Sequence, residues 1–119
     1  MGKYRVWIDD NGIIKGWIGG VHNKKDAESI IAEVNTLIEN SGFRKVLIDM
    51  SKIEKATLDA RKVHLDNLNS KPSNFNKLAL FGANTLNRVM ANFMIRAARL
   101  EDKIKFFNSE ADALVWLKE

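Results

Sequence analysis

The sequence predicts an α/β domain with the element order ββαβαβαβα: a mixed five-stranded sheet, an N-terminal hairpin followed by parallel strands, and helices mainly on one face. Three observations predict it. Asn11-Gly12 sits between two β-rich runs, and Asn-Gly supplies the positive φ of a tight hairpin turn at little cost. Beyond the hairpin, short apolar runs alternate with helical stripes, as in parallel strands joined by right-handed crossovers. Several strands also alternate in polarity, which marks a sheet covered on one face.

The elements follow in order. Tyr4–Asp9 and Ile13–Ile18 are the hairpin strands, and Gly19-Gly20 ends the second. The first helix is capped near His22 or Asn23. Its residues Ala27, Ile30, Ile31, Val34, Leu37 and Ile38 recur at the spacing of one buried stripe. Ser41-Gly42 closes it, with glycine as the left-handed residue past the last turn. Arg44–Asp49 is a strand. Thr57 opens the second helix, which Pro72 ends by Lys71. Lys77–Phe81 is a strand, and Asn84 or Thr85 begins a third helix running to about Leu100. Lys103–Phe107 is the last strand. Ser109 with Asp112 three residues on caps a C-terminal helix ending in Trp116-Leu117.

In the hairpin, Tyr4, Val6 and Ile8 share one face, while Arg5 and Trp7 point the other way with Ile13, Lys15 and Trp17. Helices on one side only would leave an open face carrying Trp7, Trp17 and Leu47. Such a face suits a homodimer, a ligand or a protein partner; cover by the termini is the alternative.

Composition narrows the function. The 119 residues suit one domain spanning 1–119, and 45% hydrophobic with 29% charged residues describes a globular chain. The absence of cysteine removes disulfides, thiolate metal sites and cysteine nucleophiles, and fits a reducing cytosol. The N-terminus has no apolar run able to serve as a signal-peptide core. The longest apolar stretches fall far short of the roughly 20 residues that span a bilayer. The net charge of +4 reads first as solubility.

The segment RKVLIDMSKIEKATLDAR, with KLALFG, KIKFFNSEADALVWLKE and the opening hairpin, resembles the SpoIIAA-like family. Its members are related to STAS domains and share a βα superhelical fold with the lipid-binding Sec14 (CRAL-TRIO) domains. In STAS-type anti-sigma-factor antagonists, the matching strand leads into Asp-Leu-Ser and then an Asp-Ser-Ser-Gly turn whose serine is phosphorylated. Asp49-Met50-Ser51 is similar to the first part. Thr57-Leu58-Asp59-Ala60 stands where the second would fall, with Leu58 at the phosphoserine position, so the phosphoacceptor is missing. Thr57 reads as a helix N-cap.

No catalytic constellation emerges. His22 and His64 lie in different elements without metal-binding spacing, and His64 reads as a flank residue of the second helix. Asp49, at the end of a parallel strand, is the lone candidate general base and lacks a nucleophile or acid beside it. Gly82-Ala83-Asn84 precedes a helix but lacks the spacing of a phosphate-binding loop. The expectation is a protein without catalytic residues, cofactor or metal.

The third helix carries the binding signal. Leu86, Val89, Met90, Phe93, Met94, Ala97 and Leu100 span one wide apolar arc, and Arg88, Arg96 and Arg99 gather with Asn92 on a basic ridge. The second helix has only a thin stripe of Leu58, Leu65 and Leu68, interrupted by Arg61. Residues 57–76 therefore read as a mobile lid over a pocket against the third helix.

The expected function is a non-enzymatic binding module for a lipid or apolar small molecule, cytoplasmic and peripheral at an anionic inner-membrane surface. The residues expected at the site are Asp49, Met50, Ser51, Thr57, Leu58, Arg88, Met90, Phe93, Met94, Arg96 and Arg99. The alternative is a STAS-type protein–protein regulatory module that docks through Ser51, the Thr57 region and the neighbouring helix. Nucleic acid is disfavoured, because no aromatic platform accompanies the arginines.

Overall fold

Asp9 makes the first turn. Its Oδ1 accepts from the N–H groups of Asn11 and Ile13, each at 2.9 Å, and Gly12 takes a φ of +77°. Strand β1 (Lys3–Ile8) thereby folds back antiparallel on β2 (Ile14–His22). The computed structural model that shows this describes residues 2–70 and 74–119, so Pro72 lies outside the described residues.

Strand β2 does not end at Gly19-Gly20, as expected, but runs on to His22. Register shifts flank these glycines, and Gly20 adopts a φ of +66°, so the pair bends the strand through a bulge. Helix α1 (Lys24–Ser41) starts at a capping box, in which Asn23 Oδ1 accepts from the Asp26 N–H and Asp26 accepts from the Asn23 N–H. It ends at Gly42, with φ +76°.

Strand β3 (Lys45–Ala56) also outruns the expected end at Asp49. Its extension pairs Lys52–Ala56 with Gly19–His22 beyond the end of β4 (Lys77–Phe81). Ser51, Lys52, Glu54 and Lys55 face water there while Ile53 is buried, so a two-stranded ribbon solvated on one side read as a loop. Helix α2 (Leu58–Ser70) is capped by Thr57, whose Oγ1 accepts from the Ala60 N–H at 3.3 Å. The Thr57 N–H donates to the His22 carbonyl at 2.9 Å, tying the start of α2 to the end of β2.

Helix α3 (Thr85–Ala97) is N-capped by Asn84 and stops before the expected Leu100; Arg99 lies beyond it with a left-handed φ of +57°. Strand β5 (Ile104–Phe107) and helix α4 (Glu110–Lys118), capped by Ser109, complete the chain. The sheet order is β1-β2-β3-β4-β5, with every pairing after the hairpin parallel.

The two faces of this sheet divide the molecule. One row of partners runs Ile14, Val46, Leu78, Ile104 on one face of the sheet, and Ile14, Val46 and Leu78 of this row pack in one core cluster with Ile30 and Ile38 of α1. The next row, Lys15, Leu47, Ala79, Lys105, points the other way. There α4 packs Ala113 and Leu117 onto Leu47, Ala79 and Ile13, all buried. Helices on one side only is therefore incorrect in one respect: α4 crosses to the second face and covers Leu47.

What stays open on that face is narrower than expected. Trp7 and Trp17 are half-buried, with the Arg5 guanidinium 5.0 Å from the Trp7 ring and Lys52 Nζ 5.3 Å from that of Trp17. Trp116 packs beside Phe107 with Lys77 Nζ 4.9 Å from its ring. All three tryptophans thus belong to the α4 side of the sheet.

Candidate functional site

On the other side, α2 and α3 stand away from the strands. Helix α2 turns Ala60 fully inward, and with it Arg61 and His64, one turn apart on the same face. Helix α3 buries only Asn87 and Ile95, and the Asn87 Nδ2 donates to the Glu54 carbonyl at 3.2 Å. Its apolar arc splits between two environments. Met90 and Met94 turn toward the sheet, whereas Leu86, Val89 and Phe93 are 69%, 60% and 71% exposed.

The result is a cavity of about 600 Å³ between the sheet and α1, α2 and α3. That is within the roughly 300–1,000 Å³ of small-molecule sites. Its floor is the row Val46, Leu78, Ile104 with Ile48 and Leu80, and its walls are largely Ile, Val, Leu, Met and Phe. A shallower apolar crease lies between α2 and α3, where Leu58, Leu65, Val89 and Phe93 meet.

One end of the cavity is polar. His22, the last residue of β2, places its Nε2 2.9 Å from Nε2 of His64. The rings are 20° from coplanar with centroids 5.1 Å apart, so they meet edge to edge through these nitrogens. One ring donates and the other accepts, so the accepting ring is neutral and the two cannot both be protonated. Burial pushes the His22 imidazole below its ordinary value. Burial, then the neighbouring His22, pushes His64 down to about 4. His22 Nδ1 and Arg61 Nε are buried without a hydrogen-bond partner, and Arg61 Nη1 reaches only Met90 Sδ at 3.5 Å. His64 is therefore no mere flank residue. A separation of 42 positions carried no spacing signal for the pair.

The expected site residues separate into groups. Met50, Met90 and Met94 line the cavity, and Leu58 and Phe93 line the outer crease. Thr57 caps α2. Asp49 lies on the α4 side of the sheet, where its Oδ1 accepts from the Ser51 N–H at 2.8 Å; Ser51 is exposed beside Gly82. The three arginines form no common ridge. Arg88 donates to Asn108 Oδ1 at 2.6 Å over the Phe106 ring, Arg96 is exposed on α3, and Arg99 has left the helix. Among the described residues no three His, Asp or Glu side chains gather as metal ligands.

This architecture has relatives. The SpoIIAA-like family model matches residues 14–118. The chain belongs to the SpoIIAA-like family. A protein with a SpoIIAA-like fold from Shewanella loihica superposes with a TM-score of 0.74 at 18% identity, covering 98% of this chain and 95% of that one. A putative anti-sigma factor antagonist from Thermotoga maritima gives 0.69 at 17% identity, with coverage of 98% and 95%. The anti-sigma factor antagonist SpoIIAA in its unphosphorylated form gives 0.65 at 9% identity, covering 98% of both chains. At these identities the likeness is one of fold. No curated protein matches the sequence. Among the described residues, no helix of this SpoIIAA-like domain is long and apolar enough to cross a membrane.

Proposed function

We propose that this SpoIIAA-like domain is a non-enzymatic binding module that holds a lipid or another apolar small molecule between the sheet and helices α2 and α3. The observation that carries this reading is the cavity itself. A chain of this size normally fills such a space at near-crystalline density, and voids lose dispersion contacts and stability. Here the methionines that could fill it only line its wall. A bound apolar molecule would restore those contacts.

The outer surface supports a peripheral role at an anionic membrane from the cytoplasmic side. Leu58, Val89 and Phe93 are exposed side by side, and Lys62 and Arg96 are exposed on the same two helices. Apolar groups beside cations suit an interface with anionic headgroups. Of the expected lid, residues 71–73 lie outside the described residues. Thr57 and helix α2 act as the lid, and amide hydrogen exchange in α2 should be faster than in β2 and β3, whereas equal protection would remove the lid.

Two measurements test the proposal. Native mass spectrometry of the purified protein should show an adduct of lipid mass, and co-sedimentation should be stronger with vesicles containing anionic lipid. No adduct and no binding to either vesicle would sink it.

A second reading has its own observation. Leu58, at the position where STAS-type antagonists carry their phosphoserine, is 76% exposed at the start of α2. With the exposed Ser51 it would form part of a surface for a regulatory protein partner. A pull-down recovering a kinase-like or sigma-factor-like protein, lost with Leu58→Asp, favours that reading.

A further inference from the structure

We infer that the molecule held in the cavity is a single-chain acid whose carboxylate binds Arg61 at the His22–His64 end. This inference rests on the cavity being a binding site, and adds the chemical class of what enters it.

The charge in the cavity is unbalanced. Among the described residues its lining includes no Asp or Glu, and Arg61 has no carboxylate partner. A guanidinium cannot shed its proton to escape burial, so its Nε–H, buried and unpartnered, carries the full cost of desolvation. A native fold tolerates such a group where something else completes it. The sulfur of Met90 is too weak an acceptor to do so.

The neighbouring histidines sharpen the choice. Both are held neutral by burial, so near neutral pH they contribute polarity and no charge. The cavity's other cation, Lys55, is exposed on the outer ribbon. Arg61 is partly buried between the cavity and the outer crease with its Nε fully buried, so one guanidinium matches one negative charge, and its planar fork matches a carboxylate. A phosphomonoester carries close to two charges and would leave one uncompensated.

The polarity of the cavity along the strands supplies the rest. His22 and Ala56 end β2 and β3, and α2 begins there, so Arg61 and His64 stand over the C-terminal ends of those strands. Val46, Leu78 and Ile104 lie at the opposite ends of their strands. A molecule lying along the floor therefore meets a cation at one end and aliphatic side chains along its length. That is the order of an acid head and a hydrocarbon tail.

The test compares dodecanoate, dodecanol and dodecyl phosphate as probes on the delipidated full chain by titration calorimetry, with Arg61→Met and Arg61→Lys beside the wild type. Dodecanoate should bind at least about 10-fold more tightly than dodecanol, as expected for a charge-assisted contact in a desolvated site. Arg61→Met should erase that difference while keeping dodecanol binding, and Arg61→Lys should keep part of it. Equal affinity for acid and alcohol in the wild type would overturn the acid head and leave the cavity reading standing. A preference surviving in Arg61→Met, or tighter binding of dodecyl phosphate, also overturns it. Binding of none of the three removes the cavity reading together with this one. The wild-type comparison needs no variant, so the inference is testable even if substitution at Arg61 disturbs folding.

Discussion

The two faces of the sheet solve the same burial problem differently. On the α4 side, Leu47, Ala79, Ala113 and Leu117 close into a small core with almost no exposed surface. On the other, α1 seals its own part of the sheet, whereas α2 and α3 enclose space and leave Leu58, Val89 and Phe93 in water. Stability resides where packing is complete. The proposed binding site lies where packing is incomplete and Arg61 has no counter-ion among the described residues.

The largest effect that sharpens this contrast belongs to the packed side. Leu117→Ala should cost about 3 kcal/mol in urea denaturation, since a fully buried leucine is removed from a close-packed cluster. A loss near zero would mean that α4 is dispensable, and the contrast would collapse.

The next effect is one of pH. His64 titrates near 4 in the folded protein and His22 is also lowered, against about 6.5 for an unfolded histidine. Between those values the unfolded chain binds more protons than the native one. This part of the stability is fully present above about pH 6.5 and is lost as pH falls toward 4. The loss should be on the order of 3 kcal/mol, read as a drop in the urea midpoint, and His64→Leu should flatten it. An unchanged slope in that variant would show that the pair does not control it.

Filling the space is the third test. Ala91→Phe projects a ring into the cavity and should change stability by less than about 1 kcal/mol while abolishing dodecanoate binding. In a filled core the same change costs about 1–3 kcal/mol, so a penalty above about 2 kcal/mol would argue that the cavity is closed. The smallest effect is at the surface. Phe93→Ser should alter stability by no more than about 0.5 kcal/mol, yet reduce co-sedimentation with anionic vesicles.

The fold was legible because its signals are local. Asn11-Gly12 set the hairpin, Gly42 stopped α1, and alternation in the strands sorted Val46 and Ile48 from Leu47. The site was only half legible. Periodicity showed that α3 is amphipathic, but an apolar arc does not say whether it faces core, cavity or water. Met90 and Met94 line the cavity, while Val89 and Phe93 turn outward from the same helix. In the sequence Arg61 reads only as an interruption of a stripe; that it lacks a counter-ion among the described residues is a property of three-dimensional neighbours. The histidine pair depends on β2 running four residues past Ile18, where the glycines appeared to end it. The arginine ridge failed because α3 unwinds before Arg99.

The placement of the tryptophans has an optical consequence. Trp7, Trp17 and Trp116 all lie across the sheet from the cavity, and none lines it. Indole emission will therefore follow melting of the packed side while staying nearly silent as the cavity fills. A thermal melt read by that emission, with and without a candidate ligand, reports ligand-induced stabilisation free of direct quenching. A tryptophan introduced at Met94 would give the cavity an intrinsic reporter of its own.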